Sequence, residues 1–233
     1  MLYITCTHID EFVKVKPQTC AKIEETPLLI VESESQFTQF LKEIASASEI
    51  AIDLEHHSYR TFQGFTCLMQ VSTRSKDYII DTLTLRGQME RLLPIFTNPD
   101  IMKVFHGADS DIAWLQRDFG LYVVNMFDSH KAAKALGFPK LSLSYLLDRY
   151  LQVDLDKRFQ LADWRIRPLP EELINYARSD THYLLHICDL LKSDLIEKAK
   201  YEGSNDIYCL VRSVFDDSST VCSLVYFFLL SFF

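Results

Sequence analysis

Three short stretches carry acids where apolar residues belong. EIAIDLEHH, residues 49–57, sets Asp53 and Glu55 two apart on one face of a strand whose other face is Ile50, Ile52 and Leu54. Two like charges on that face repel unless a cation lies between them; the plain alternative is a solvent-facing edge. GADSDIAW puts Asp111 at the start of a helix, where an acid also simply favours the helix dipole. INYARSDTHYLL, residues 174–185, places Asp180 on the stripe Leu173, Ala177, Leu184, Ile187 and Leu191, the spacing of one helical face turned to a core. A bare carboxylate buried there would cost several kcal/mol. A basic partner or a metal ion must compensate it. Tyr176 lies one turn earlier, so its hydroxyl and the Asp180 carboxylate can serve one site.

Taken together, four carboxylates exceed what one Mg²⁺ usually draws from a protein. They suit two hard cations that share ligands with a substrate phosphate. Two such ions about 4 Å apart can activate a water and stabilise the leaving oxygen of a phosphodiester. Tyr176 would then position the attacking water. For these residues to meet, a central strand, the turn after the next strand and a late helix must open onto one cleft. In open α/β sheets, the strand ends that lead into helices are where sites collect.

The pattern along the chain supplies such elements. Residues 1–27 read as an extended lead-in. SESQFTQFLKEIASAS is a helix opened by a Ser or Glu cap. EIAIDLEHH, FTCLMQVST and KDYIIDT read as strands in an antiparallel meander. RGQMERLLPIFTN is a helix, IMKVFHGA a short strand, SDIAWLQRDFG a helix ending near Gly120 and LYVVNMFDS another strand. HKAAKALG and LSLSYLLDRYLQV are helices, and the loop DKRFQLADWRIRPLP leads into one long final helix. This order predicts an α/β fold: a sheet of mixed direction with helices on both faces.

Composition sets outer bounds. The 233 residues are 48% hydrophobic and 24% charged, ordinary for a soluble protein with a sizeable core. A net charge of −8 excludes coating nucleic acid by bulk charge, though a local basic groove stays open. The six cysteines form no CxxC pair, which argues against a zinc ribbon and for free thiols in a reducing compartment, cytosol or nucleus. MLYITCTHIDEF lacks the basic start and apolar run of a signal peptide. Val221 to Phe233 is strongly apolar but too short for a membrane helix. A buried strand or a tail anchor are options; a foreign end to a truncated or mis-spliced reading frame is favoured, because exposed terminal aromatics are an aggregation liability. No membrane association is expected.

DLEHHSYRTFQGFTCLMQVST, KVFHGADSDIAWLQRDFGLYVVNMFDS, FQLADWRIRPLPEEL and YARSDTHYLL resemble the DEDD exonucleases of the RNase D type. Within them, the similarity is to the exoribonucleases attached to the nuclear RNA exosome. It runs from about Leu28 to Glu202, giving a domain over 28–202 and a non-family tail over 203–233. The resemblance implies an RNase H-like fold and 3′→5′ hydrolysis of single-stranded RNA to nucleoside 5′-monophosphates. It implies two divalent metal ions, Mg²⁺ or Mn²⁺, held by Asp53, Glu55, Asp111 and Asp180. Asp109 does not match the third acid. Tyr176 is the tyrosine that marks the DEDDy subgroup. With all five positions filled, an active enzyme is implied, with RNA and the exosome as partners and the nucleus, more finely the nucleolus, as its place.

Substrate contacts fall on His56, Trp114, Lys157 and Gln160. His56 can touch the terminal sugar or be a polar residue at a strand end, and Trp114 can stack on a base or be core. Arg165 and Arg167 fix their loop. His106 is a hydrogen-bonded core histidine, since hard Mg²⁺ prefers oxygen. His182 and His186, spaced like a zinc pair, lack the Glu of a metalloprotease helix and read as surface or packing. Full-length relatives add an N-terminal partner-binding region and a helical HRDC module, for which this chain is too short, so exosome docking and full RNA affinity are in question. Two rival readings follow: a truncated product that binds RNA or a partner without turnover, and a DNA 3′→5′ exonuclease, which the 2′-OH would discriminate.

Overall fold

The computed structural model describes residues 16–59, 61–155 and 157–201. The apolar end, Val221 to Phe233, lies outside them, as do Cys6, Cys209 and Cys222. Six strands form one sheet in the order β1-β4-β3-β2-β5-β6. They are β1 (Leu28–Val31), β2 (Glu49–His57), β3 (Phe65–Ser72), β4 (Asp77–Ile80), β5 (Met102–Phe105) and β6 (Met126–Asp128). The expected meander holds, with β2–β3 and β3–β4 antiparallel. β1–β4, β2–β5 and β5–β6 are parallel, so the sheet is mixed.

Alternation along β2 assigns the two faces. Ile50, Ile52 and Leu54 join a core with α1 (Glu34–Ile44) and α3 (Asp109–Phe119). Of the Ser and Glu caps the sequence offers, Ser33 opens α1, and it forms a capping box with Gln36. Ala51 faces the opposite way, into a core made by α4 (Ser129–Leu136), α5 (Leu143–Leu151) and α7 (Leu184–Tyr201). A third cluster forms where Cys67, Leu68 and Ile79 meet Trp164 and the residues Leu173 and Ala177 of α6 (Glu171–His182). Helices therefore cover both faces. Among the described residues no helix is long and apolar enough to cross a membrane.

Four elements differ from the sequence reading. The long final helix is two helices: α6 closes at Tyr183, whose N–H bonds the Thr181 carbonyl, and α7 starts afresh at Leu184. The stripe had joined two different surfaces, since Leu173 and Ala177 pack on Trp164 while Leu184, Ile187 and Leu191 pack on Ala51 and Val104. RGQMERLLPIFTN is a 3₁₀ segment, Arg86–Leu92, followed by the four-residue α2 (Leu93–Phe96); Pro94 has no N–H to continue an α-helix through it. LYVVNMFDS pairs only over β6, because Asn125 takes a positive φ of 57° immediately before it. β1 falls between the lead-in and α1, where the sequence pattern assigns no element, and pairs in parallel with β4.

Candidate active site

Asp53 and Glu55 stand on the α6 side of β2, and Asp180 comes to them from the end of α6. Carboxylate oxygens of these three residues all lie within 4.8 Å of one another. Asp111, in the first turn of α3, is buried and approaches from the neighbouring strand end. The charge of Asp53 acts on Asp111, and the charges of Asp53, Asp180 and Asp111 all act on Glu55. Asp53 acts on each of the other three acids and so sits at the centre of the set. Asp109, by contrast, is exposed and faces Lys131 at 3.8 Å.

Electrostatics of the set are uncompensated. Burial raises the Asp53 carboxyl to about 7. Burial, then the Asp53 charge, raises Asp111 to about 9. Glu55 and Asp180 are driven well above the ordinary carboxylate range by the same two causes. Among the described residues, no lysine, arginine or histidine is ion-paired with any of the four. A basic partner for Asp180, one of the two options the sequence left, is therefore not found there. Hard oxygen donors converging without countercharge are what a divalent cation requires, and the residues present fit such an ion.

Local packing explains how each acid is delivered. The β2–β3 register shifts between Glu55 and His56: Glu55 faces Leu68, but His56 faces Thr66. Cys67 is the extra residue of this bulge, and it shares a cluster with its neighbour Leu68 instead of alternating. Beyond the bulge His56 turns to the α3 side, where its ring stacks on Trp114, 4.2 Å between centroids and 4° from parallel. Arg117 Nη2 lies 3.1 Å from its Nε2. Gly64 closes this arrangement, since a Cβ there would stand 2.0 Å from His56 Cε1.

α3 is aimed by a residue that the sequence reading passed over. Asp128, at the end of β6, accepts the N–H groups of Gly107 at 2.8 Å, Ala108 at 3.2 Å and His130 at 2.9 Å. It thus ties together the turns before α3 and α4. Its signal was an Asp at a strand end ahead of a helical run, MFDSHKAA, where it also caps α4. His106 is a hydrogen-bonded structural histidine as expected, 2.9 Å from Ser129 Oγ, with its basicity lowered to about 4 by burial.

α6 is fixed through Asp77. Arg178 Nε donates to Asp77 Oδ2 at 2.6 Å, His182 Nδ1 lies 2.9 Å from the same oxygen, and Ser72 Oγ bonds Oδ1 at 2.8 Å. Ser72 also meets Thr181 Oγ1 at 2.8 Å. Burial opposes the Asp77 charge, but the bonds from His182 and Arg178 outweigh it and hold the group below its ordinary value. His182 and Arg178 further bond the Ala21 and Thr26 carbonyls, pinning the lead-in. Of surface and packing, the two options the sequence leaves for His182, the structure shows buried packing. Tyr176, one turn before Asp180, rests against Trp164 and Phe159.

The loop before α6 is held by arginines, as the sequence suggested. Arg167 makes two parallel bonds to Asp81, at 2.8 and 2.7 Å, and a third to the Cys67 carbonyl at 2.9 Å. Arg165 clasps Asp163. Gln160 is exposed in this loop. Lys157 opens a 3₁₀ turn there, and its side chain lies outside the described residues.

Residues 28–196 match the 3′-5′ exonuclease family, and the chain belongs to it. Across the chain it is 51% identical over 217 residues to the Exosome complex component 10 homolog of Drosophila melanogaster, covering 93% of this chain and 23% of that protein. It is 52% identical over 173 residues to the Exosome complex exonuclease RRP6 of Saccharomyces cerevisiae, covering 74% of this chain and 24% of that one. The chain thus spans under a quarter of the length of these curated relatives. The catalytic core of RRP6 from Trypanosoma brucei superposes with a TM-score of 0.81 at 40% identity, over 88% of this chain and 55% of that one. The fold is RNase H-like, as the resemblance implied.

Proposed function

We propose that this chain is the catalytic domain, over 28–202, of a metal-dependent 3′→5′ exoribonuclease that releases nucleoside 5′-monophosphates from single-stranded RNA. The observation that carries the reading is the meeting of Asp53, Glu55 and Asp180, with Asp111 beside them, in a chain of the 3′-5′ exonuclease family. Asp53, Glu55, Asp111 and Asp180 would hold two divalent ions, Mg²⁺ or Mn²⁺. Such ions supply an activated water and charge stabilisation for the leaving oxygen. Tyr176 orients the water from one turn before Asp180. His56 and Trp114, stacked beside Asp111, receive the terminal nucleotide, and Lys157 and Gln160 contact the strand from the loop before α6. The similarity to exosome components supports work with the exosome in nuclear RNA processing and decay, in the nucleus and its nucleolus.

The test is a time course on 5′-labelled single-stranded RNA with Mg²⁺, with EDTA, and with Asp180→Asn. The expected result is a ladder shortening from the 3′ end, lost in both controls. A folded chain that leaves RNA intact in Mg²⁺ and Mn²⁺ would overturn the reading. Preferential loss of a matching DNA oligomer would move the substrate class to DNA.

A further inference from the structure

β3 reads FTCLMQVS, and its glutamine is out of place. Gln70 is fully buried between the buried apolar residues Met69 and Val71. A leucine or valine there would pack without a half-satisfied amide. Gln70 stands directly opposite Asp53 in the antiparallel register, hence on the same face of the sheet as the acids. Its Nε2 donates to Glu55 Oε1 at 3.4 Å, while its Oε1 has no hydrogen-bond partner. Among the described residues it is the side chain that donates to Glu55.

The choice of an amide has a chemical logic. A lysine or arginine at this place would pair with Glu55, neutralise it and compete with a cation. A neutral donor fixes one carboxylate oxygen and leaves the full negative charge and the second oxygen available. We propose that Gln70 is a positioning residue that holds the Glu55 carboxylate in the orientation that accepts a divalent cation. This rests on the metal reading given above. Partners that orient a ligand in this manner typically change metal affinity about 10–100-fold when removed.

The experiment measures Mn²⁺ binding by calorimetry, without RNA, on the full chain and on Gln70→Met and Gln70→Leu. Methionine keeps the side chain's length and volume without the donor, and leucine offers a second apolar packing. Melting in EDTA is recorded for all three. The expected result is a Mn²⁺ dissociation constant raised about tenfold or more in the variants, with melting in EDTA equal to or above that of the parent. Variants that bind Mn²⁺ as the parent does overturn the role of Gln70 alone. So does loss of the fold in both variants, which would make Gln70 structural. A parent that takes up no Mn²⁺ overturns the metal reading and the role of Gln70 with it.

Discussion

Asp53→Asn will make the metal-free chain more stable and the Mg²⁺-bound chain less so. The sign follows from the direction of the shift. In the unfolded chain Asp53 loses its proton at its ordinary value of 3.8, whereas in the folded chain burial holds the proton to about 7. Between those values the folded state binds more protons than the unfolded state, so stability is full at low pH and falls as pH rises through that window. The slope is at most about 1.4 kcal/mol per pH unit for one group. The interval between 3.8 and about 7 therefore corresponds to roughly 4 kcal/mol lost by neutral pH. Asparagine removes that loss but buries an amide whose bonds are incomplete, a cost of about 1–3 kcal/mol. The net gain is about 1–3 kcal/mol, on the order of 3–10 °C in melting temperature for a chain of this size.

With metal the order reverses. A ligand at about 100 times its dissociation constant stabilises the parent by about 2.7 kcal/mol, and a variant without the central carboxylate forgoes it. Thermal unfolding followed by circular dichroism, in EDTA and in Mg²⁺ at ~pH 8 and ~pH 5, reads all four cases. The variant should melt above the parent in EDTA at the higher pH, below it in Mg²⁺, and close to it in EDTA at the lower pH. A variant that melts lower in EDTA at ~pH 8, or a parent whose metal-free stability is flat between the two pH values, would refute the account of an uncompensated acidic set.

Tyr176→Phe removes only the hydroxyl, so it should lower the rate of RNA hydrolysis by roughly 10²-fold while Mn²⁺ binding holds; single-turnover rates beside calorimetry read both, and an unchanged rate would remove the tyrosine from the reaction. Arg178→Ala leaves the Asp77 carboxylate buried beside His182 without its arginine partner, which should cost about 3–5 kcal/mol in urea unfolding; a loss under about 1 kcal/mol would show that the network does not anchor α6. Gly64→Ala drives a Cβ into the His56 ring and requires a positive φ of 62°. It should lower stability by about 1 kcal/mol or more and weaken RNA binding, and a variant matching the parent in both melting and RNA titration would detach the His56–Trp114 stack from substrate.

The layers were legible because their signals are local. Alternation in EIAIDLEHH assigns Ile52 to one core and Asp53 to the cleft, and that assignment holds residue by residue. The capping pair Ser33 and Gln36 and the left-handed Gly120 likewise declare helix ends within a few residues. What stayed hidden depends on partners distant in sequence. β1 is defined by its pairing with β4, nearly fifty residues on, and the four residues LLIV are too few to show a period of their own. The bulge at Cys67 is equally silent, because an extra residue in β3 appears only when β2 is laid against it.

The acids and their supports divide along the same line. Asp53, Glu55 and Asp180 each violate a local pattern, and a violated pattern is visible in one sequence. Asp128, Asp77 and Arg178 violate none: Asp128 reads as a helix cap, Asp77 as a strand edge and Arg178 as the polar side of a helix. Their importance lies in bonds that span 101 residues between Arg178 and Asp77 and 21 between Gly107 and Asp128. Even the misread helix belongs here. The periodicity that exposed Asp180 continued across Tyr183, although Ala177 and Leu184 pack in different clusters. The inference about Asp180 survived that error because it needed only the face shared with Ala177, one turn back in α6. α6 packs along β2, β3 and β4 alike, so a carboxylate on its Ala177 face, in the last turn, meets the acids of β2 whatever the chain does beyond Tyr183.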